Sequence, residues 1–248
     1  MPLGSIKGSA YPYVSNRALT TTRRGIQRGG SLLYHQSWAA PTAKVSNGIS
    51  LVQAGPNTTT INLTITGSLA AGGVATLLST FGPFTGGRNV VVTVTHATSI
   101  VAVNGVITGK DVYGVTRTET WSVTATGTSK TYASKTAFKT VTGITAISAS
   151  DASADSISAG DGDILGLDVI LPSALGLTGT AVKEVVDATL VTTGVFVAGG
   201  IAISAAGVIS VTANADPRGT YAPATIPNGA HNYDVWFISD IPEYSGGA

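Results

Sequence analysis

Three histidines are the side chains best suited to catalysis or metal binding, and their spacing argues against both. His35 and His96, the closest pair, are 61 positions apart, and His231 is farther still. A zinc site needs about four ligands at short spacings. The Gly-x-Ser-x-Gly sequence of a hydrolase nucleophile elbow is also missing. We therefore predict that the chain is not an enzyme.

An aspartate-rich stretch offers oxygen atoms that could bind calcium. Its members are Asp151, Asp155, Asp161, Asp163 and Asp168. The spacing does not fit an EF-hand loop, which ends in a bidentate glutamate. Aspartate and glycine together are also common in plain turns. We therefore predict no metal site and no cofactor.

The most informative group of residues lies near the N-terminus, where arginines are closely spaced and aromatic residues follow: Arg17, Arg23, Arg24, Arg28, Tyr34 and Trp38. Arginine and aromatic side chains are enriched among the anchors of protein interfaces. They could also bind nucleic acid, with arginine on phosphate and rings stacked on bases. Four arginines are fewer than a genome-binding segment usually carries. We predict a protein partner whose acidic residues pair with the arginines, while Tyr34 and Trp38 pack nearby.

Charge is divided unequally between the two halves of the chain. No Asp or Glu precedes Asp111, so residues 1–110 carry a net charge of +8 and the remainder −7, which together give +1. Such asymmetry favours an acidic partner: nucleic acid, an acidic protein surface or the acidic half of a sister subunit. Charged residues make up only 11% of the chain, against about 25% in ordinary soluble domains. A surface made largely of Thr, Ser and Gly suits burial against neighbours.

The elements that must hold these residues are predicted to be strands. Residues 1–44 show neither a strand nor a helix period and are interpreted as an extended basic arm. From residue 45 onward, alternating or β-branched runs predict strands at 60–66, 89–95, 99–103, 106–108, 116–126, 137–142 and 144–148. An Asn104-Gly105 turn separates two of these runs. Turn signals recur about every ten residues, which is typical of a sandwich or barrel.

The second half of the chain continues the same pattern. Residues 149–163 are interpreted as a connection, followed by strands at 164–171, 182–191, 195–197, 201–204, 208–212 and 233–238, with a long loop at 214–227. Trp121 and Trp236 fall within strands and are predicted to lie in the core. The fold class is therefore all-β: an arm (1–44), a β domain (45–150), and a second β module or a continuation of the same domain (151–248).

Targeting signals are absent from the sequence. No run of about 18 apolar residues could span a membrane, and the first residues lack the apolar core of a secretory signal. We expect synthesis in a host cytoplasm without export by that route, and no membrane partner.

Several motifs resemble structural proteins of tailed bacteriophages. They are GKDVYG at 109–114, TET at 118–120, KTAFKTV at 135–141 and DPRGTY at 216–221, the last followed by a polar loop and a closing hydrophobic strand. The family pattern has valine where this chain has Pro217. The resemblance runs from about residue 90 to about residue 240 and does not include the arm.

The resemblance implies a capsid decoration (cement) protein. Such a protein would lie on the exterior of the capsid of a virion, bind the major capsid protein and stabilise the head. Association with copies of itself, as a dimer or trimer, is also expected. Two alternatives remain: a tail-tube or head–tail connector subunit, and a carbohydrate-binding or adhesin module, which would need Trp or Tyr facing solvent.

Overall fold

The structure is a computed structural model that describes residues 32–78, 86–96, 102–123, 129–149, 156–167, 181–191, 194–198, 201–203, 209–211 and 219–239. All regular elements in these ranges are strands, which confirms the all-β prediction. Among these residues there is no helix of the length and hydrophobicity needed to cross a membrane. Residues 1–31, most of the predicted arm, lie outside the described ranges.

Eighteen strands are described. In chain order they are β1 (Leu32–Trp38), β2 (Ser50–Ala54), β3 (Ile61–Asn62), β4 (Ala70–Ala71), β5 (Val74–Thr76), β6 (Arg88–Thr95), β7 (Val103–Lys110), β8 (Thr116–Val123), β9 (Ser129–Phe138), β10 (Thr140–Ser148), β11 (Ser156–Gly166), β12 (Ala181–Val186), β13 (Thr189–Val191), β14 (Val195–Ala198), β15 (Ile201–Ile203), β16 (Ile209–Val211), β17 (Gly219–Ala222) and β18 (Tyr233–Ser239).

The strands pair antiparallel in three main sheets and one hairpin. Sheet 1 has the order β1-β18-β12-β13. Sheet 2 has the order β4-β5-β10-β7-β8, with β3 added to β10, and sheet 3 has the order β14-β17-β11-β6-β9, with β2 added to β11. Strands β15 and β16 form the separate hairpin.

Sheets 2 and 3 share one hydrophobic core, as in a β-sandwich. In β6 the side chains of Val90, Val92 and Val94 are buried while the residues between them are less so. This alternation directs one face of the strand to the core. Ile107 and Trp121 of sheet 2 belong to the same cluster. The period-two pattern in the sequence therefore corresponds to a real buried face.

A buried carboxylate joins the neighbouring edges of sheets 2 and 3. Glu119, in β8, accepts hydrogen bonds from the backbone amides of Lys135 and Thr136 in β9, both at 2.8 Å. The hydroxyl of Tyr132 also donates to Glu119, at 2.6 Å. These bonds satisfy backbone donors at the edge of β9 and link β8 of sheet 2 to β9 of sheet 3.

A second core lies where sheet 1 packs on sheet 3. Trp38, Tyr233 and Val235 of sheet 1 contact a cluster that includes Leu165 and Tyr221 of sheet 3. The side-chain amide of Gln36 reaches across to the carbonyl of Gly166 at 3.4 Å. Sheet 1 is thus fixed to the sandwich by aromatic packing as well as by a polar contact.

The predicted connection at 149–163 is wrong for residues 156–163, which belong to β11. This strand is buried on both faces, so its sequence does not alternate. Its glycines meet neighbouring backbone: a Cβ on Gly160 would lie 1.7 Å from the carbonyl oxygen of Val45. The small residues that resemble a linker in the sequence are here required, because neighbouring backbone packs closely against β11.

Two further predictions about turns are wrong. Asn104 and Gly105 continue β7 and do not form a turn, because Gly105 leaves room for the indole of Trp121 on the adjacent strand. The predicted loop at 214–227 contains β17, which places Tyr221 in the second core.

Other strands match their predictions closely. Strands β6, β8 and β18 coincide with predicted runs, whereas the run at 60–66 contributes only Ile61–Asn62. The strand interpretation of 182–191 is confirmed, with a two-residue turn inside it. Asp187 and Ala188 in that turn have φ of 49° and 64°. Positive φ at both central residues is what a tight hairpin of this twist requires.

Candidate interaction surface

Of the six residues predicted to bind a partner, the structure describes two, and both belong to β1. Arg17, Arg23, Arg24 and Arg28 lie outside the described residues. Tyr34 is in β1, opposite Phe237. Trp38, at the end of β1, is only 1% exposed and stacks on Tyr221 with ring centroids 5.9 Å apart. Its indole is therefore a core side chain and offers no surface to a partner.

Residues 1–31, here called the leader, precede β1 in the chain, and β1 is an edge strand of sheet 1. Strand β1 follows directly and pairs with β18 over seven residues, from Leu32 opposite Ser239 to Trp38 opposite Tyr233. Because Trp38 anchors the strand in the second core, the point where the leader meets the fold is fixed.

The connection after β1 is fastened by a buried arginine. Arg88 is 0% exposed and pairs with Asp161, Nη1 to Oδ2 at 2.6 Å. The same Nη1 donates to the carbonyl of Thr42 at 2.6 Å, and Nε donates to the carbonyl of Gly162 at 2.7 Å. Burial lowers the pKa of Arg88 and raises that of Asp161, and the attraction between the two charges opposes both shifts.

Two of the five aspartates considered for calcium, Asp161 and Asp163, thus have internal partners, and the other three lie outside the described residues. The other oxygen of Asp161 accepts from the backbone amide of Val45 at 2.7 Å, and Asp163 pairs with Lys44 at 2.6 Å. Within the described ranges, no three His, Asp or Glu side chains lie close enough together to hold a metal ion. The Asp161-Gly162-Asp163 segment fastens residues 42–45 to sheet 3.

All carboxyl groups in the described part of the chain are used internally in this way. The seven pairs are Asp111 with Arg117, Glu119 with the amides of Lys135 and Thr136, Asp161 with Arg88, Asp163 with Lys44, Glu184 with Tyr221, Asp187 with His231, and Asp234 with His35. In the described part of the body, every carboxylate therefore already has an internal donor. None of these seven is left without a partner for the cations of the leader to bind.

The hairpin between β7 and β8 presents apolar side chains on a rigid loop. Asp111 is buried, and its Oδ1 accepts from the amides of Tyr113 (2.8 Å) and Val115 (3.1 Å). Its Oδ2 binds the guanidinium of Arg117 at 2.9 Å. Tyr113 and Val115 are nevertheless 57% and 49% exposed. The sequence predicts strands at 106–108 and 116–126 but leaves this hairpin tip unassigned, although an Asp three residues before a Gly is a turn signal.

The outer face of sheet 1 carries an aromatic row. His35, Trp236 and Lys183 are neighbours on three adjacent strands. The His35 ring stacks on Trp236 with centroids 4.5 Å apart, and the Lys183 ammonium is 5.1 Å from the same ring. Trp121 is a core residue, as predicted, whereas Trp236 is half-buried. Neither indole is an open stacking platform of the kind a carbohydrate-binding module uses.

Comparison with protein-family models, with curated proteins and with solved structures finds no match to this chain. The charges, contacts and exposed groups described above are therefore the basis for a proposed function.

Proposed function

We propose that the protein is a capsid decoration protein, a non-enzymatic virion component that binds the outer surface of the major capsid protein shell and stabilises the head. The observation that carries the proposal is the distribution of charge. The leader has five cationic side chains and no acidic one: Lys7, Arg17, Arg23, Arg24 and Arg28. Each of the seven carboxyl groups in the described part of the body has an internal donor, and the leader, with no acidic side chain of its own, is suited to an acidic surface on another subunit.

The affinity for the shell depends on how many leader contacts form at the same time. An ion pair at a protein surface contributes about 0–1 kcal/mol. A single leader therefore binds weakly, and several leaders on one assembly bind far more tightly through avidity. This is why the proposal includes association with copies of the same chain, as a dimer or trimer. Salt would weaken the contact, because exposed charges are screened.

The hairpin tip supplies a second, apolar contact. Tyr113 is an aromatic side chain of the kind enriched at interface hot spots. Asp111 accepts hydrogen bonds from two backbone amides of the loop and pairs with the Arg117 side chain, so little loop freedom remains to be lost on docking. The motif GKDVYG, which contains this tip, is one of those that resemble tailed-phage proteins.

Capsid binding by charge-reversed variants tests the proposal. Shells of the major capsid protein that lack this chain are mixed with the wild type or with Arg23→Glu/Arg24→Glu, and bound copies are counted after sedimentation. We expect the double variant to lower the apparent affinity at least about tenfold, since two attractive pairs become repulsive. Raised salt should weaken the wild type in the same direction.

A matched control separates the leader from net charge. Lys130→Glu/Lys135→Glu makes the same charge change on exposed positions of β9 and should bind almost as well as the wild type. Equal loss in both double variants, or no loss in either, would contradict a role for the leader. In the same assay Tyr113→Ser should weaken binding, because it removes the exposed aromatic ring of the hairpin tip.

A further inference from the structure

Five buried polar atoms have no hydrogen-bond partner in the described part of the chain. They are Trp38 Nε1, Arg88 Nη2, Asp163 Oδ1, Glu184 Oε1 and the Tyr233 hydroxyl. They come from five different strands, β1, β6, β11, β12 and β18. A buried polar group without a partner is strongly destabilising. Five such groups in the described part of one chain call for a physical explanation.

Three of the five atoms belong to the inner face of sheet 1. Trp38 lies directly opposite Tyr233 in the β1–β18 pairing, so their side chains share a face. Tyr233 is in turn opposite Val186 on β12. Glu184 is two residues before Val186 and therefore lies on that same face. Its other oxygen, Oε2, accepts from the backbone amide of Gly194 at 2.7 Å and from the Tyr221 hydroxyl of sheet 3.

The remaining two atoms approach from sheet 3. Arg88 Nη2 and Asp163 Oδ1 are 3.9 Å apart, which is too far for a direct hydrogen bond. Burial raises the pKa of Tyr233 to about 12, and the charges of Glu184, Arg88 and Asp163 also act on it. Tyr233 packs in the same core cluster as Leu165 of β11, which lies opposite Arg88 in the β11–β6 pairing and two residues after Asp163. Both groups of atoms therefore lie at the interface between sheets 1 and 3.

The chemistry of this group of atoms fits a small neutral ligand that both donates and accepts. Trp38 Nε1 and Arg88 Nη2 donate, Glu184 Oε1 and Asp163 Oδ1 accept, and the Tyr233 hydroxyl can do either. A bound cation would be repelled by Arg88, and a bound anion by the two carboxylates. The atoms are closed off from bulk solvent, so the ligand must be very small.

We propose that ordered internal water occupies the interface between sheets 1 and 3 and bridges these five atoms. A buried water usually makes about three hydrogen bonds to polar groups that lack other partners. One water oxygen can span the gap between Arg88 Nη2 and Asp163 Oδ1, because two polar atoms farther apart than about 3.5 Å are commonly joined in this way. The sheet that carries the leader is therefore bonded to the sandwich partly through water.

A crystal structure of the full chain at about 1.5 Å resolution tests this directly. The expected result is water density within hydrogen-bond distance of the Tyr233 hydroxyl and of at least one of Glu184 Oε1, Arg88 Nη2 and Asp163 Oδ1. If the interface contains no water, or if these atoms pair directly with protein atoms, the proposal is overturned.

The sign of a stability change gives an independent test. If water bridges the Tyr233 hydroxyl, Tyr233→Phe removes a bonded group and should raise the unfolding equilibrium constant about five- to tenfold. If the hydroxyl is unpaired, the same change removes a desolvated polar atom and leaves stability equal or higher, which would overturn the proposal. Tyr132→Phe is the matched control, because that hydroxyl bonds Glu119 directly at 2.6 Å and calibrates the loss of a direct bond.

Discussion

Arg88 is the side chain on which the attachment of residues 42–45 most depends. It carries a buried charge, and its partner Asp161 is almost as deeply buried. The carboxylate has a single close cationic partner at 2.6 Å, supplemented by the amide of Val45. An ion pair in this position is sensitive to the loss of either member, because the survivor is left charged in a medium that solvates it poorly.

Arg88→Met should therefore destabilise the fold by about 3–5 kcal/mol, since Asp161 is left as an uncompensated buried carboxylate. Urea unfolding followed by tryptophan fluorescence measures the change. Lys44→Met is the control within the same network. Its ammonium is largely exposed and pairs with Asp163 at 2.6 Å, so the cost should stay within about 1 kcal/mol. Similar small losses in both variants would show that the buried pair contributes little.

Three tyrosines should make the fold sensitive to alkali. Burial, followed by the neighbouring Glu119 and Glu184 respectively, raises the pKa of Tyr132 and Tyr221, and burial raises that of Tyr233 to about 12. An unfolded tyrosine has a pKa of about 10. Above that pH the unfolded chain loses protons that the folded chain retains, which favours unfolding.

Stability should therefore be intact below about pH 10 and should fall as the pH rises through 10 to 12. The thermal midpoint between pH 8 and pH 12 measures this. Tyr221→Phe removes one of the three groups and should make the fall shallower. A thermal midpoint that stays constant up to pH 12 in the wild type would contradict the conclusion that these tyrosines retain their protons in the folded chain.

At the scale of the strands, two glycines on adjacent strands differ in how closely other atoms pack around them. Gly105 in β7 lies under the carbonyl of Thr145 and the indole of Trp121, where a Cβ would be 1.9 Å and 2.5 Å from the nearest atoms. At Gly143, in the adjacent strand β10, an added Cβ would meet no atom within 4 Å. The two glycines therefore differ in packing although both lie in paired strands.

Gly105→Ala should cost about 1–3 kcal/mol or more, because the methyl group forces β7, β8 and β10 apart. Gly143→Ala should be neutral or stabilise the fold by up to about 1 kcal/mol, because it restricts the unfolded chain without meeting a neighbour. Chemical denaturation of the two variants gives the comparison. Equal effects would mean that the strands move apart more freely than the close approach at Gly105 implies.

At the scale of the whole molecule, the two halves of the chain are interleaved in one sheet. Strand β11, from the second half, lies between β17 and β6 and pairs with β6 at seven positions. It also pairs with β2. The described strands before and after residue 150 therefore complete each other's hydrogen bonding in sheet 3.

A fragment of residues 1–150 should fail to fold cooperatively. Without β11, strand β6 has a bare edge in the middle of sheet 3, and the core face of β11, which includes Ile157 and Ala159, is missing. Circular dichroism during heating measures cooperativity. A sharp transition with strand-like spectra in the isolated fragment would show that the first half is an autonomous domain.

Much of the fold could be predicted from the sequence. Residues such as Val90, Val92 and Val94 alternate with less buried neighbours, and this period is sufficient to predict β6 and the all-β class. Trp121 is bulky and lies in such a run, so its burial could be predicted as well. Local patterns succeed here because one face of each strand meets the core and the other meets a different environment.

The buried polar residues could not be predicted in the same way. Asp161 has the appearance of a turn residue, Gly105 of a hairpin signal and Trp38 of an interface anchor. Their positions depend on partners distant in sequence: Arg88, the strand beside Gly105, and Tyr221. The sequence by itself determined that the chain forms strands and that its charge is unevenly divided. Only the tertiary structure decided which charges are neutralised inside, because neutralisation requires contact between atoms that the chain order keeps apart.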